Sequence, residues 1–104
     1  LQQQKKGYKM EQVDFIQVPE EWTDTDTLLS SSLTSSSTYK IECRGEGCLL
    51  QEASGKPNDT DLGGVLLDGK GQKSVDYTVG SNNLYARALG KNTYLNIVDI
   101  TPAS

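Results

Sequence analysis

Few residues in this chain have the types and spacing that chemistry requires. Cys43 and Cys48 are its two cysteines, with Arg44-Gly45-Glu46-Gly47 between them. A redox Cys-x-x-Cys motif has two intervening residues, and this pair has more. A structural zinc site takes four Cys or His ligands, but the chain has no histidine and no third cysteine. Two readings stay open, a bridge across a tight hairpin or two free thiols. Nothing in the sequence marks secretion, and reducing compartments keep thiols free, so the second is the expectation. The missing histidine also removes Ser-His-Asp and Cys-His nucleophiles.

The carboxylates offer little more. Asp24-Thr25-Asp26 and Asp59-Thr60-Asp61 are similar acidic tripeptides. Hard cations such as calcium favour carboxylate oxygens, but the full calcium-loop pattern fails because Lys70 stands where its closing Glu belongs. Asp and Thr are also common turn formers, and that is the expected role. Asn58-Asp59-Thr60 matches the glycosylation acceptor pattern, which matters only in a secreted protein. Arg44-Gly45-Glu46 resembles a receptor tripeptide only loosely, with Glu in place of Asp, and a hairpin turn explains it without a receptor. Paired carboxylates for glycoside hydrolysis need an apolar pocket that raises one pKa, and none is recognisable. The expectation is a non-enzymatic protein with no cofactor and no metal.

The elements that position these residues read as strands. Tyr39, Ile41 and Cys43 alternate with Lys40 and Glu42, the period of a half-buried strand. Arg44 to Gly47 then turns the chain, and Cys48 to Ala53 reads as the returning strand. Ser54 to Asp61 is a polar loop. Gly63-Gly64-Val65-Leu66-Leu67 is a short apolar run. Val75, Tyr77 and Val79 alternate with Asp76 and Thr78, Leu84 to Leu89 alternates again, and Thr93 to Ile100 is the last strand before Pro102. Turn residues recur about every 8–12 positions, which predicts an all-β fold, a small antiparallel β-sandwich or jelly-roll-like domain.

The N-terminal part reads differently. The chain has 104 residues, ten basic and fourteen acidic, for a net charge of −4. Residues 1–11 carry +2, residues 14–26 carry −5 and residues 27–104 carry −1. Such asymmetry is typical of an arm on a near-neutral domain. Residues 27–38 are rich in Ser and Thr and read as a linker running into a strand. The expected division is therefore an extended N-terminal arm and linker over 1–38 and a β-sandwich over 39–104. Within the arm, Met10 to Val18 is a candidate strand, and Glu20 to Leu29 is a candidate for a helical turn capped by Thr23 or Asp24. Trp22 is either a core residue or an anchor in a partner's pocket, since Trp is favoured at interface hot spots.

Composition sets further bounds. The length fits one domain. An acidic chain with a pI near 4.6 lacks the clustered Lys and Arg that phosphate binding needs, so no nucleic-acid partner is expected. No apolar run approaches the ~20 residues of a membrane helix, so no membrane partner is expected either. The chain opens on Leu1 and not on Met, which reads as a processed or partial chain.

Asp61-Leu62-Gly63-Gly64-Val65-Leu66-Leu67, then Val79-Gly80-Ser81-Asn82-Asn83-Leu84-Tyr85-Ala86-Arg87-Ala88 and Leu95-Asn96-Ile97-Val98, carry a resemblance. Over about residues 40–100 the chain resembles small structural proteins of tailed-phage virions. The resemblance implies a β-sandwich that cements or decorates the outer capsid surface, bound to the major capsid protein. It also implies a homotrimer, located in the virion after assembly in the host cytoplasm. The acidic N-terminal part and the two cysteines depart from that pattern. Laid over a neighbouring subunit, the arm would add a strand to a sheet edge. Met10, Val13, Phe15, Ile16 and Val18 would make the contacts, with Trp22 as anchor. The competing expectation is a receptor- or glycan-binding module of a phage fibre or tail. That module needs an exposed aromatic platform, for which Tyr39, Tyr77, Tyr85 and Tyr94 are candidates.

Overall fold

Alternation decides which face of each strand is buried. In the computed structural model, which describes residues 11–68 and 72–102, Tyr39, Ile41 and Cys43 of β3 (Thr38–Gly45) point into the core. Lys40 and Arg44 of the same strand are exposed. Leu95 and Ile97 of β8 (Thr93–Asp99) and Leu84, Ala86 and Ala88 of β7 (Asn83–Ala88) follow the same rule.

Among the described residues, eight strands form two antiparallel four-stranded sheets. The others are β1 (Glu11–Gln17), β2 (Thr23–Asp24), β4 (Cys48–Ala53), β5 (Val65–Leu67) and β6 (Ser74–Thr78). One sheet has the order β1-β8-β3-β6, the other β2-β7-β4-β5. This interleaving, with the first and last strands paired side by side, is the connectivity of a jelly roll built from two Greek keys. The expected all-β sandwich is what the chain forms, and its jelly-roll variant in particular. Between the sheets lies one continuous core that includes Ile16, Ile41, Leu50, Leu67, Leu95 and Ile97.

The division at residue 38 does not survive. β1 pairs along its length with β8, from Glu11 opposite Asp99 to Gln17 opposite Tyr94, with a bulge between Gln12 and Asp14. β2 pairs with β7. Residues 11–38 therefore belong to the sandwich and supply a strand to each sheet. The charge that suggested an arm stays outside, since Glu20, Glu21 and Asp26 are exposed. The apolar residues between them turn inward. Residues 1–10 lie outside the described residues, Met10 among them.

The helical turn is α1 (Thr25–Leu28), and Asp24 caps it by accepting from the Asp26 N–H at 2.9 Å. Thr25 is buried and donates its hydroxyl to the Leu84 carbonyl at 3.0 Å. The expected hairpin across Arg44-Gly45-Glu46-Gly47 is also corrected. β3 and β4 lie in different sheets, so this short link is a crossover over the end of the core. No helix among the described residues is long and apolar enough to cross a membrane.

Candidate functional site

The outer face of the β2-β7-β4-β5 sheet is partly roofed by the loop that joins β4 to β5. Trp22, Leu49 and Tyr85 form a second small core on this face. The loop is held by polar contacts to it. Trp22 Nε1 donates to the Asp61 carbonyl at 2.9 Å, and Arg87 Nη1 donates to the Asp59 carbonyl. The Asp61 carboxylate accepts from the Gly63 N–H at 2.9 Å and from Gln51 Nε2 at 3.3 Å. Beyond the loop, apolar side chains reach solvent. Leu62, Val65, Leu66 and Leu89 are exposed, with Leu66 directly opposite Leu49 in the β5–β4 register. Among the described residues β5 is the last strand of its sheet, so one of its edges has no strand partner there.

The outer face of the β1-β8-β3-β6 sheet has a different chemistry. Phe15 of β1 stacks on Tyr94 of β8, with ring centroids 5.2 Å apart and planes within 4°. Phe15 keeps 50% of its surface exposed. Beside the rings, Gln12 Nε2 donates to Asn96 Oδ1 at 2.7 Å. Arg44, opposite Tyr94 in the β3–β8 register, pairs with Glu42 at 2.8 Å. Lys40 pairs with Asp76 at 3.8 Å. Gln17, opposite Tyr94 on β1, donates to the Lys91 carbonyl at 3.0 Å. From Gln17 an open cleft of about 400 Å³ continues past Val18, Pro19 and Glu20 to Lys91.

The six residues expected to reach a partner separate on this map. Ile16, Val18 and Trp22 are buried in the chain's own cores, Trp22 at 1% exposure, which corrects their assignment to a partner-facing arm. Val13 is half-buried and packs on the main core. Met10 is outside the described residues. Phe15 alone of the five described stands on the surface. Among the tyrosines, Tyr39 and Tyr85 are buried. Tyr77 donates to Glu52 Oε1 at 2.6 Å, and its partial burial, reinforced by that carboxylate, raises its pKa. Tyr94 is the one that joins an exposed aromatic pair. The sequence has no local signal for the Phe15–Tyr94 pair, because pairing of the first and last strands creates it. The exposed leucines have no distinct sequence signal, because a short apolar run such as Val65-Leu66-Leu67 is also the pattern of a fully buried strand.

The acidic tripeptides make local structural hydrogen bonds. Asp24 Oδ2 accepts from Asn83 Nδ2 at 2.9 Å, and Asp26 Oδ1 from the Leu33 N–H at 3.2 Å. Asp14 does similar work at the β1 bulge. Its Oδ2 accepts from the Ser30 N–H and its Oδ1 from the Phe15 N–H, each at 2.9 Å, and these bonds lower its pKa. Cys43 and Cys48 are free thiols, both buried in the main core. Burial raises the pKa of each, most strongly that of Cys48. That is the opposite of an activated thiolate.

The fold defines the class as a small jelly roll with two chemically distinct outer faces. No protein-family model, curated protein or solved structure matches the chain.

Proposed function

We propose that this jelly roll is a non-catalytic structural subunit of a phage virion, seated on the outer capsid surface against the major capsid protein as a homotrimer. The observation that carries the reading is the apolar rim of the second sheet. Leu62, Val65 and Leu66 lie in or just before a three-residue edge strand, and all three are exposed. Edge strands next to apolar surface are where another chain adds. The connectivity supports the same reading, since jelly rolls recur in viral capsid and lectin domains. The residues that resemble virion proteins also fall together in the fold, in the end of the roofing loop, β5, β7 and the middle of β8. Fold alone does not fix function, so the reading rests on the rim. Contact through the rim replaces the arm, whose Ile16, Val18 and Trp22 are buried in the chain's own cores. Repetition over a shell would make weak contacts strong.

Light scattering at two protein concentrations tests the assembly. The expected result is a trimer mass at both, converted to monomer by Leu66→Lys with the fold retained. A monomer at both concentrations, or a trimer indifferent to Leu66→Lys, overturns the rim as the contact. Co-sedimentation with purified capsid shells tests the location, and a protein that stays in the supernatant counts against it.

A further inference from the structure

The Phe15–Tyr94 face lies on the sheet opposite the rim and has no part in the assembly just proposed. We propose that it binds a neutral oligosaccharide, with a pyranose ring seated against Phe15 and Tyr94 and the chain of sugars running toward the cleft at Gln17 and Lys91.

The argument begins with the rings. An aromatic face carries the negative lobe of its quadrupole, and the polarised C–H groups on one side of a pyranose are complementary to it. Half of Phe15 is open to solvent although its own sheet has a core to fill. Its partner Tyr94 fixes its orientation at a 4° interplanar angle, so little side-chain entropy remains to be lost on binding. Amides follow. Beside the rings, Gln12 Nε2 donates to Asn96 Oδ1 at 2.7 Å and to the Asp14 carbonyl at 2.9 Å, which leaves Gln12 Oε1 to accept and Asn96 Nδ2 to donate. Vicinal sugar hydroxyls, which also donate and accept, suit such a pair.

Charge selects among ligands. Arg44 is matched by Glu42 and Lys40 by Asp76. At the cleft one acid, Glu20, stands with one base, Lys91. This balance gives no net attraction for a nucleic acid, a sulfated glycan or an acidic peptide. It suits a neutral polyhydroxylated ligand. The pair also sits among polar neighbours, unlike the leucine rim, so an apolar helix or a greasy protein surface would strand the amides and ion pairs without partners. An open cleft of about 400 Å³ that starts at Gln17, opposite Tyr94 in the β1–β8 register, gives room beyond a single sugar.

The test is a glycan array that displays neutral glucose-, galactose- and N-acetylglucosamine-terminated chains beside sialylated and sulfated ones. The best neutral hit is then titrated by calorimetry. The expected result is retention of neutral glycans, weakened about tenfold or more by Phe15→Ala, the loss that ~1.4 kcal/mol of stacking represents. Gln12→Ala should weaken binding less, and Leu66→Lys should not change it. Should Phe15→Ala fail to fold, Tyr94→Ala applies the same test from the other ring. An empty array, binding confined to anionic glycans, or a folded ring variant that binds like the unsubstituted protein overturns the proposal. Because the control substitution is on the other sheet, failure here leaves the assembly reading standing, and loss of the trimer leaves this one.

Discussion

The indole N–H of Trp22 donates to the carbonyl of Asp61 at 2.9 Å, and through that bond the loop between β4 and β5 is fastened over the outer face of its sheet. Trp22 is 1% exposed, yet it lies outside the core between the sheets and packs with Leu49 and Tyr85. Its burial thus depends on the loop, and the loop's placement depends on it.

Trp22→Ala should cost about 3–5 kcal/mol of stability, the usual range for truncating a buried large aromatic. Trp22→Phe keeps a ring and loses the hydrogen bond, so its cost should be smaller, with about 1 kcal/mol of it from the bond. Urea unfolding measures both. Limited digestion with an endoproteinase that cleaves before Asp supplies a second readout, because Asp59 and Asp61 lie in the loop and Asp59 is exposed. Trp22→Ala should speed cleavage there under native conditions. An alanine variant that loses less than about 1 kcal/mol, with the loop equally resistant, would show that Trp22 does not hold this face together.

The crossover from β3 to β4 depends on backbone that only glycine adopts easily. Gly45 has φ +106°, and a Cβ built on it would lie 1.8 Å from the Asn92 carbonyl oxygen. Both the dihedral and the contact exclude a side chain. Gly45→Ala should therefore destabilise by more than ~1 kcal/mol, through backbone strain and displacement of the β7–β8 turn. Gly55→Ala is the control, since nothing lies within 4 Å of its Cβ position. Surface changes of that kind usually stay within about 0.5 kcal/mol. Equal melting temperatures for the two variants would mean that the crossover tolerates a looser path.

Much of the β-structure was legible in the chain because it obeys one rule. Tyr39-Ile41-Cys43 and Leu84-Ala86-Ala88 alternate cleanly, and turn residues bound each strand. What alternation does not encode is which sheet a strand enters. That is why the segment around Gly45 reads as a hairpin although the chain crosses between sheets there. The N-terminal part misled for a related reason. Its five acidic residues at 14–26 dominate the composition, while Ile16 and Val18 alternate inward and Trp22 turns onto the second sheet. Charge described the exposed positions and concealed the buried ones. The Phe15–Tyr94 pair was beyond reach altogether, because residues from opposite ends of the chain meet only once β1 and β8 pair.

The two thiols make the fold sensitive to alkali. Cys43 and Cys48 sit in the main core, and burial raises both above the ordinary thiol value of 9.0. Tyr77 is raised above its ordinary 10.0 by partial burial and by its bond to Glu52. In the unfolded chain these groups release protons near their ordinary values, whereas the native state keeps them. Below pH 9.0 their contribution to stability is fully present. As pH climbs past that value the unfolded state binds fewer protons than the native one, and stability falls. Melting temperature followed from pH 7 upward should therefore decline beginning at about pH 9. Replacing both cysteines by alanine should reduce the slope between about pH 9 and 10 and leave the tyrosine part above it. The same burial makes the native thiols slow to alkylate at neutral pH, with labelling limited by opening of the core and fast in denaturant. Rapid labelling of the native protein, or an alkaline slope unchanged in the alanine variant, would place the thiols nearer to solvent than this core allows.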